Sequence, residues 1–496
     1  MRNPLLLPDL RELIHGGEDA ALREFLGDQH PGRVAEFIED LPDGDGDAVF
    51  RILDPRERAE VLSYFENDEQ NRLVESMPPK EAAELLRVMS HDERAALVNR
   101  LDEDFVDEVM PNLAQAERED IRRLAGYEPG TAGAVMTTDY VILPAHVTVR
   151  EALERLRHEA PDRETIYYCY VVDHHRRLIG FVSLKRLILA RRSAVIEEIM
   201  QRDVIFARVD DDQEPVAQTI DKYDLLALPI VDAEERLVGI VTHDDAMDIL
   251  RREQTEDILK FGGVAPDPEA DTVPYWQSSV VTTVRRRIKW LMLLFLAENL
   301  TTPVQQYFQW TYSDEQVPAL AVFVSLLIGT GGNAGSQTVG TVIRGMALGE
   351  IRLASTLRVV FREWLTGLCL GTLLGAFAVL YFHYWRGQPW EVCAVIALAL
   401  FGVCMWANVI GSIVPLAARR VGIDPAVVSA PFISTLVDAS GMVIYFTIAI
   451  VLLGLVKKPD PHDGPDQTDD PPAASRPADA EKAGAAPPPV VAPSPG

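Results

Sequence analysis

Cysteine is scarce in this chain. Cys169, Cys369, Cys393 and Cys404 are the four in 496 residues, and none stands in a CxxC or His/Cys ligand spacing. That excludes a disulfide framework and a zinc site as organising features. Three of the four lie in apolar runs, where a small hydrophobic role is expected. Positive charge is scarce too: 47 Lys and Arg against 75 Asp and Glu give a formal net charge of −28. This balance argues against nucleic acid as a partner and towards solvated acidic surface or cations. No GxxxxGK[ST] loop occurs, so no primary pump is expected. No catalytic constellation stands out, and the chain is read as a non-enzyme. Met1 to Leu10 has no long apolar core and no cleavage site. No signal peptide is therefore expected, and the first domain should be cytoplasmic.

What is present falls into blocks. From Leu53 an apolar residue precedes a turn every 12 residues: Leu53, Phe65, Met77, Met89, Leu101, Leu113. Helix starters follow them, and Asp54…Glu57 and Ser90…Glu93 have capping-box spacing. Helices this short cannot bury a face alone and must stack, which predicts a small α-solenoid over residues 1–130.

Two copies of one α/β pattern come next, Met136 to Leu189 and Met200 to Leu250. Each has an extended segment (Tyr140-Val141-Ile142; Val204-Ile205-Phe206) and an amphipathic helix. Each then has a strand ending in Asp173 or Asp232 and a second strand holding Gly180 or Gly239. The pattern resembles a tandem pair of cystathionine-β-synthase (CBS) domains, read here as 131–195 and 196–250. In nucleotide-binding members the second strand ends in Gly-h-h-Ser/Thr-x-x-Asp, where h is apolar and the Asp grips a ribose. The second copy keeps it as Gly239, Thr242 and Asp245; the first has Arg186 in place of the acid. ATP is thus a candidate cofactor with Arg186 against it at the first cleft. Acids crowd the second copy: Asp210, Asp211, Asp212, Glu214, Asp224, Asp244, Asp245, Asp248, Glu256 and Asp257. Asp244, Asp245 and Asp248 share a helix face. Such crowding is either solvated surface or an invitation to a hard divalent cation with oxygen ligands. A connecting helix from about Asp244 to Phe261 and a linker (251–285) lead to the basic run Arg285, Arg286, Arg287 and Lys289. A helix joining a sensor to a membrane domain is a natural gate lever.

Five apolar segments of ~20 residues or more predict membrane spans over 286–456. They run approximately 290–310, 317–344, 357–384, 392–417 and 426–456. Basic residues cluster before the first span, at Arg344, Arg352, Arg358 and Arg362, and at Arg419 and Arg420; the alternate loops hold Ser313-Asp314-Glu315 and Arg386. The positive-inside rule then puts the N-terminal domains in the cytoplasm and the C-terminus outside. Residues 457–496, rich in Pro, Ala, Asp and Gly, read as a disordered tail. Small and polar residues interrupt the second span from Gly329 through Asn333 and Gly335 to Gln337, where backbones can come close or carbonyls can face a pore. The fifth span holds Asp438, the one acid between Asp424 and the tail. An acid at that depth costs a few kcal/mol or more, which points to function, with a carboxyl that is protonated, or hydrogen-bonded to a neighbouring helix, as the bland alternative. Glu298 in the first span is a second such acid.

This order of parts, with Gly329 to Gln337, Val421-Gly422-Ile423-Asp424-Pro425 and Pro431 through Asp438 to Tyr445, resembles the MgtE family of magnesium channels and transporters. The resemblance covers about residues 20 to 456. It implies a multidomain membrane protein of the bacterial inner membrane, a homodimer in the lipid bilayer with the pore on its axis. Asp438 would hold hydrated Mg²⁺, helped by the carbonyl near Ser434, with Asn333, Gly335 and Gln337 along the path. Regulatory Mg²⁺ would clamp a closed state. Glu60 and Asp92 would face Asp224 and Asp245, and Glu214, Asp248, Glu256 and Asp424 would tie the CBS pair and connecting helix to the membrane domain. Ala96 stands where some relatives place another acid. Two other readings compete: a transporter of Co²⁺ or Mn²⁺, for which His or Cys ligands would be expected, and a nucleotide-sensing receptor whose spans only anchor it.

Overall fold

The starters and stops of the first block do make one short helix after another. The computed structural model describes residues 7–16, 18–159, 164–267, 276, 278–312 and 317–454. The expected disordered tail, the Ser313-Asp314-Glu315 loop and most of the linker before the first span lie outside these residues. Among those described, ten α-helices run from Leu7 to Ala125. The six repeat residues Leu53, Phe65, Met77, Met89, Leu101 and Leu113 each fall just after a helix and are buried in one core with Leu22, Phe50, Leu62 and Leu86. Asp54 and Glu57 form the expected capping box. At His91–Val98 the expected box is incomplete, because Ser90 makes no side-chain cap bond to the backbone.

The duplicated module folds as two three-stranded sheets: β1 (Val141–Pro144), β2 (Tyr168–Val172) and β3 (Leu178–Ser183), then β4 (Ala207–Arg208), β5 (Ala227–Val231) and β6 (Leu237–Thr242). In each, the first strand pairs parallel with the second, and the second antiparallel with the third. The extended segment expected at Val204-Ile205-Phe206 makes its strand slightly later and shorter, at Ala207–Arg208. The leading segments of the copies cross over. Thr137 and Ile240 exchange backbone hydrogen bonds, as do Gln201 and Phe181. Met136 packs on Gly239 and Met200 on Gly180. A Cβ at either glycine would strike those residues, so glycine is required by this close approach.

Strand β6 runs directly into a 19-residue connecting helix, His243–Phe261, about 28 Å long. Gly263 follows at φ 71° and lies against the Trp290 ring. Trp290 donates from Nε1 to Ser429 Oγ at 3.1 Å. The end of the connecting helix, the start of the first span and the start of the fifth therefore meet at one point.

Three described helices are long and apolar enough alone to cross a membrane: Leu353–Trp385, Trp390–Arg420 and Ala430–Leu453. The second expected span is a 31-residue helix, Val317–Ala347, with its apolar residues in the first half and the glycine-rich sequence in the middle. The first expected span is not one helix. It is Val280–Glu298 and Thr301–Thr311, parted at Asn299-Leu300. Asn299 donates from Nδ2 to Phe295 O and Thr301 from Oγ1 to Glu298 O, which occupies carbonyls at the break. Gly367, Gly371 and Gly375 bring the third span onto the backbone of the fourth at Cys404–Met405, Phe401 and Ala397.

Candidate functional site

Asp438 lies about a third of the way along the fifth-span helix Ala430–Leu453. Ser429 starts that helix by accepting from Phe432 N, and Gly454 ends it in the left-handed region. The residue is 7% exposed, and Oδ1 is buried with no hydrogen-bond partner. Ser434, one turn earlier, shares its face. The second span approaches there through Gly332, where a Cβ would lie 3.5 Å from Asp438 Oδ1 and would strike the Ser434 hydroxyl. Gly335 stands against Ile433 and Val437 of the same helix. The buried face of the second span is thus glycine where it meets the acid. Asn333 and Gln337, four residues apart, lie on its exposed face, so the chain does not bring them to Asp438.

The other polar groups inside the spans are mostly satisfied. Thr338 donates to Asn408 Oδ1 at 2.7 Å, and Asn408 donates to Cys404 O at 2.8 Å. Ser336 bonds Ala430 O, Ser412 bonds Val409 O, and Trp406 Nε1 donates to Ser440 Oγ. His383 stacks on Trp390 at 3.8 Å and its Nδ1 contacts Gln388 O, a structural setting. Asp438 differs from these in that its Oδ1 has no hydrogen-bond partner among the described residues. A buried carboxylate oxygen without a donor is expensive and is relieved by a proton, by a cation or by a cation's waters.

A second set of acids meets between the solenoid and the CBS pair. Asp92 and Glu93 come from the first turn of His91–Val98, Asp244 and Asp245 from the first turn of the connecting helix, and Glu164 from the approach to β2. Burial together with the neighbouring carboxylates raises the pKa of Asp92, Glu93 and Asp245, and pushes Glu164 up to about 7. Asp92 Oδ1 is buried and unpartnered; Asp245 accepts a hydrogen bond from Thr242 Oγ1. Asp92 and Asp245 are brought together as the sequence suggests. Glu60 and Asp224 are not: both are exposed, and Glu60 pairs with Arg56 at 4.0 Å. Sequence reasoning left Glu93, Glu164 and Asp244 out of this set. Their proximity depends on a contact between domains, for which no local spacing is a signal. In the first CBS copy Arg186 donates its backbone N–H to Ser183 Oγ and accepts from Ala190 N.

A third cluster surrounds a cavity of about 650 Å³ between the second CBS copy, the connecting helix and the membrane domain. Glu214, Glu256 and Asp424 all line it, as expected, together with Glu253, Asp257 and Lys260. Asp248 does not; it is exposed and pairs with Arg251 at 3.4 Å. Glu214 and Asp257 are raised by burial and by their acidic neighbours, Asp424 among them. Among the described residues no three acidic, histidine or cysteine side chains converge closely enough to chelate a bare metal ion.

Three family models match the chain: a divalent cation transporter domain, MgtE, over residues 324–448; the MgtE intracellular N domain over 29–130; and CBS domains over 132–193 and 196–252. The magnesium transporter MgtE of Thermus thermophilus is 39% identical over 458 residues, covering 91% of this chain and 99% of that protein. The magnesium transporter MgtE of Enterococcus faecalis is 35% identical, covering 90% of this chain and 96% of the relative. A crystal structure of the cytosolic domain of the Mg²⁺ channel MgtE in complex with ATP is 38% identical, with TM-score 0.47, over 49% of this chain and 99% of that one.

Proposed function

The chain belongs to the MgtE family, and from that premise we propose that it carries Mg²⁺ across a membrane, inward and down its electrochemical gradient, with Asp438 as the seat of the ion. The observation that carries this reading is the buried, unpartnered Asp438 oxygen beside Gly332. Mg²⁺ gives up its water reluctantly, and a carboxylate can accept hydrogen bonds from the hydrated ion without stripping it. Glycine at 332 lets the second span come close to Ser434 and Asp438. At 100 mV, negative inside, two charges gain roughly 4–5 kcal/mol on entry, so no other energy source is required. The lack of ligating His or Cys beside Asp438 favours a hard ion over Co²⁺; Mn²⁺, which also takes oxygen ligands, is not separated by it.

In this scheme two copies share the pore. Asn333 and Gln337 are exposed on a membrane helix, where polar side chains need a protein or water partner rather than lipid. A second copy supplies that environment. The basic ends of the spans face the cytoplasm with the N-terminal domains, and the C-terminus lies outside; support comes from Arg419, which donates to Ile351 O and joins two basic loops on one side. Domain limits follow the sequence reading given above.

Regulatory Mg²⁺ would be held by Asp92, Glu93, Glu164, Asp244 and Asp245 at one contact and by the cavity acids Glu214, Glu253 and Asp257 at the other. All are hard oxygen donors, and Asp92 has an oxygen with no donor, so the residues fit the ion. Neutralised, these faces dock and the gate closes; without the ion, like charges loosen them. ATP remains a candidate ligand of the second CBS copy alone, where Thr242 and Asp245 keep the ribose pattern.

Mg²⁺ uptake by the full chain in proteoliposomes tests the central claim. Asp438→Asn and Asp438→Ala should reduce uptake to background while the melting temperature and oligomeric state hold. Wild-type uptake in Asp438→Ala would sink the ion-site reading. A panel with Co²⁺ and Mn²⁺ separates the remaining cations.

A further inference from the structure

A cavity of about 270 Å³ lies where the connecting helix ends and the first and fifth spans begin. Val264, Ala265, Pro266, Trp290 and Val427 give it apolar walls, and the exposed Lys289 borders it. We propose that this cavity binds an anionic phospholipid of the cytoplasmic leaflet, its phosphate on Arg285 and Lys289 and the top of an acyl chain against Trp290 and Val427. The inference rests on the orientation read above, in which the basic ends of the spans face the cytoplasm.

The walls of the cavity are fixed to one another. Arg286 Nε donates to Ala265 O at 3.0 Å, and Ala265 N donates to Arg286 O at 3.3 Å. Trp290 Nε1 donates to Ser429 Oγ at 3.1 Å. With its N–H satisfied, Trp290 offers the cavity an apolar ring, at the level where tryptophan settles between water and lipid. The first-span helix runs on from there with no fully buried residue. Its Leu291, Met292, Phe295 and Leu296 are each more than half exposed. An acyl chain that starts at Trp290 can therefore continue along this helix.

Charge decides the headgroup. The chain as a whole is strongly acidic, yet four of the five residues 285–289 are Arg or Lys. Arg285 and Lys289 have the i, i+4 spacing that puts them on one helix face, and among the described residues neither is paired with an acid. At the other wall Lys260 lies 2.6 Å from the carboxylates of Glu256 and Asp424, which repel an anion, so the phosphate belongs on the first-span side. Basic side chains beside an apolar cavity at the cytoplasmic boundary attract an anionic headgroup. A choline headgroup brings a cation of its own and gains less. Free phosphate would leave the apolar walls unused, which favours a lipid. Bound there, the lipid bridges the end of the connecting helix and the starts of two spans.

Native mass spectrometry of the full chain, released from detergent micelles and titrated with dioleoylphosphatidylglycerol or dioleoylphosphatidylcholine, tests this. The glycerol lipid should bind about tenfold tighter, and Arg285→Gln with Lys289→Gln should remove that preference. Arg285→Lys with Lys289→Arg should keep it. Val427→Phe, which narrows the cavity and leaves every charge in place, should weaken binding of the glycerol lipid severalfold at an unchanged melting temperature. The proposal is overturned if the two lipids bind alike, if the double Gln variant keeps the preference, or if Val427→Phe binds as wild type does. Binding to the monomer that vanishes in the dimer would give the cavity to a second copy and overturn it as well. Protease added outside sealed right-side-out vesicles tests the orientation separately: digestion of the solenoid would remove that reading, while the lipid preference in detergent still reports on the cavity.

Discussion

Gly332 stands against Asp438 across two membrane helices, so close that a Cβ on it would lie 3.5 Å from the carboxylate and would strike the Ser434 hydroxyl. The obstacle is the end of a small side chain, which can turn away. Gly332→Ala should therefore fold, losing about 1 kcal/mol. The methyl nevertheless takes space beside the proposed ion seat. Mg²⁺ uptake should fall, by about fivefold or more, with little change in melting temperature. Unchanged uptake would mean that the space is not used by the ion.

Gly371 provides the contrasting case. A Cβ there would lie 2.8 Å from Phe401 Cα and 2.9 Å from Phe401 O, and backbone cannot rotate aside. Gly371→Ala must push the third and fourth spans apart, costing about 1–3 kcal/mol. Thermal unfolding in detergent should show the loss. Gly329→Ala is the control, since nothing lies within 4 Å of its Cβ position. It should be neutral or slightly stabilising, because alanine is the better helix former. Equal behaviour of the two variants would contradict the packing described.

The legible parts of this chain were those with local periodicity. The 12-residue repeat could be read because each repeat residue closes a short helix and joins one core. The duplicated strands could be read because β pairing and hydrophobic runs recur within each copy. Asp438 could be read because a lone acid in an apolar helix has few innocent explanations. What stayed hidden depends on contacts between segments. Identical patterns in both copies do not say that Met136 crosses to Gly239. Nothing near Glu164 or Glu93 announces that they meet Asp245. Glu256 and Lys260 are visible as a helical pair, but Asp424 joins them only in the fold. The break at Asn299-Leu300 was hidden for another reason: apolar composition alone does not show where a helix stops.

The acids between solenoid and CBS pair should make docking depend on pH in Mg²⁺-free solution. Glu164 is pushed up to about 7, and burial among like charges raises Asp92 and Asp245 as well, from an ordinary value near 4. Docked, these groups hold protons that they release once separated. Docking is therefore fully favoured at low pH and weakens as pH rises through about 7. Bound Mg²⁺ replaces the protons and should flatten the dependence. Energy transfer between probes on the solenoid and the CBS pair, compared at about pH 6 and pH 8 with and without Mg²⁺, reads the effect. Tighter docking at the higher pH without Mg²⁺ would contradict the arrangement.

The same contact separates residues that the sequence alone groups together. Asp92 and Asp245 each bear on the other's charge, whereas Glu60 and Asp224 are exposed and outside the cluster. Asn in place of Asp92 and Asp245 keeps size and polarity but removes the two charges that a divalent ion would neutralise. The difference in docking between Mg²⁺-free and Mg²⁺-saturated protein should then shrink severalfold, and uptake should lose most of its dependence on internal Mg²⁺. Glu60→Gln with Asp224→Asn should leave both curves close to wild type, because exposed carboxylates are already screened by solvent. If the second pair flattened the curves and the first did not, the regulatory seat would have to lie nearer Glu60 and Asp224 than the folded chain places Asp92 and Asp245.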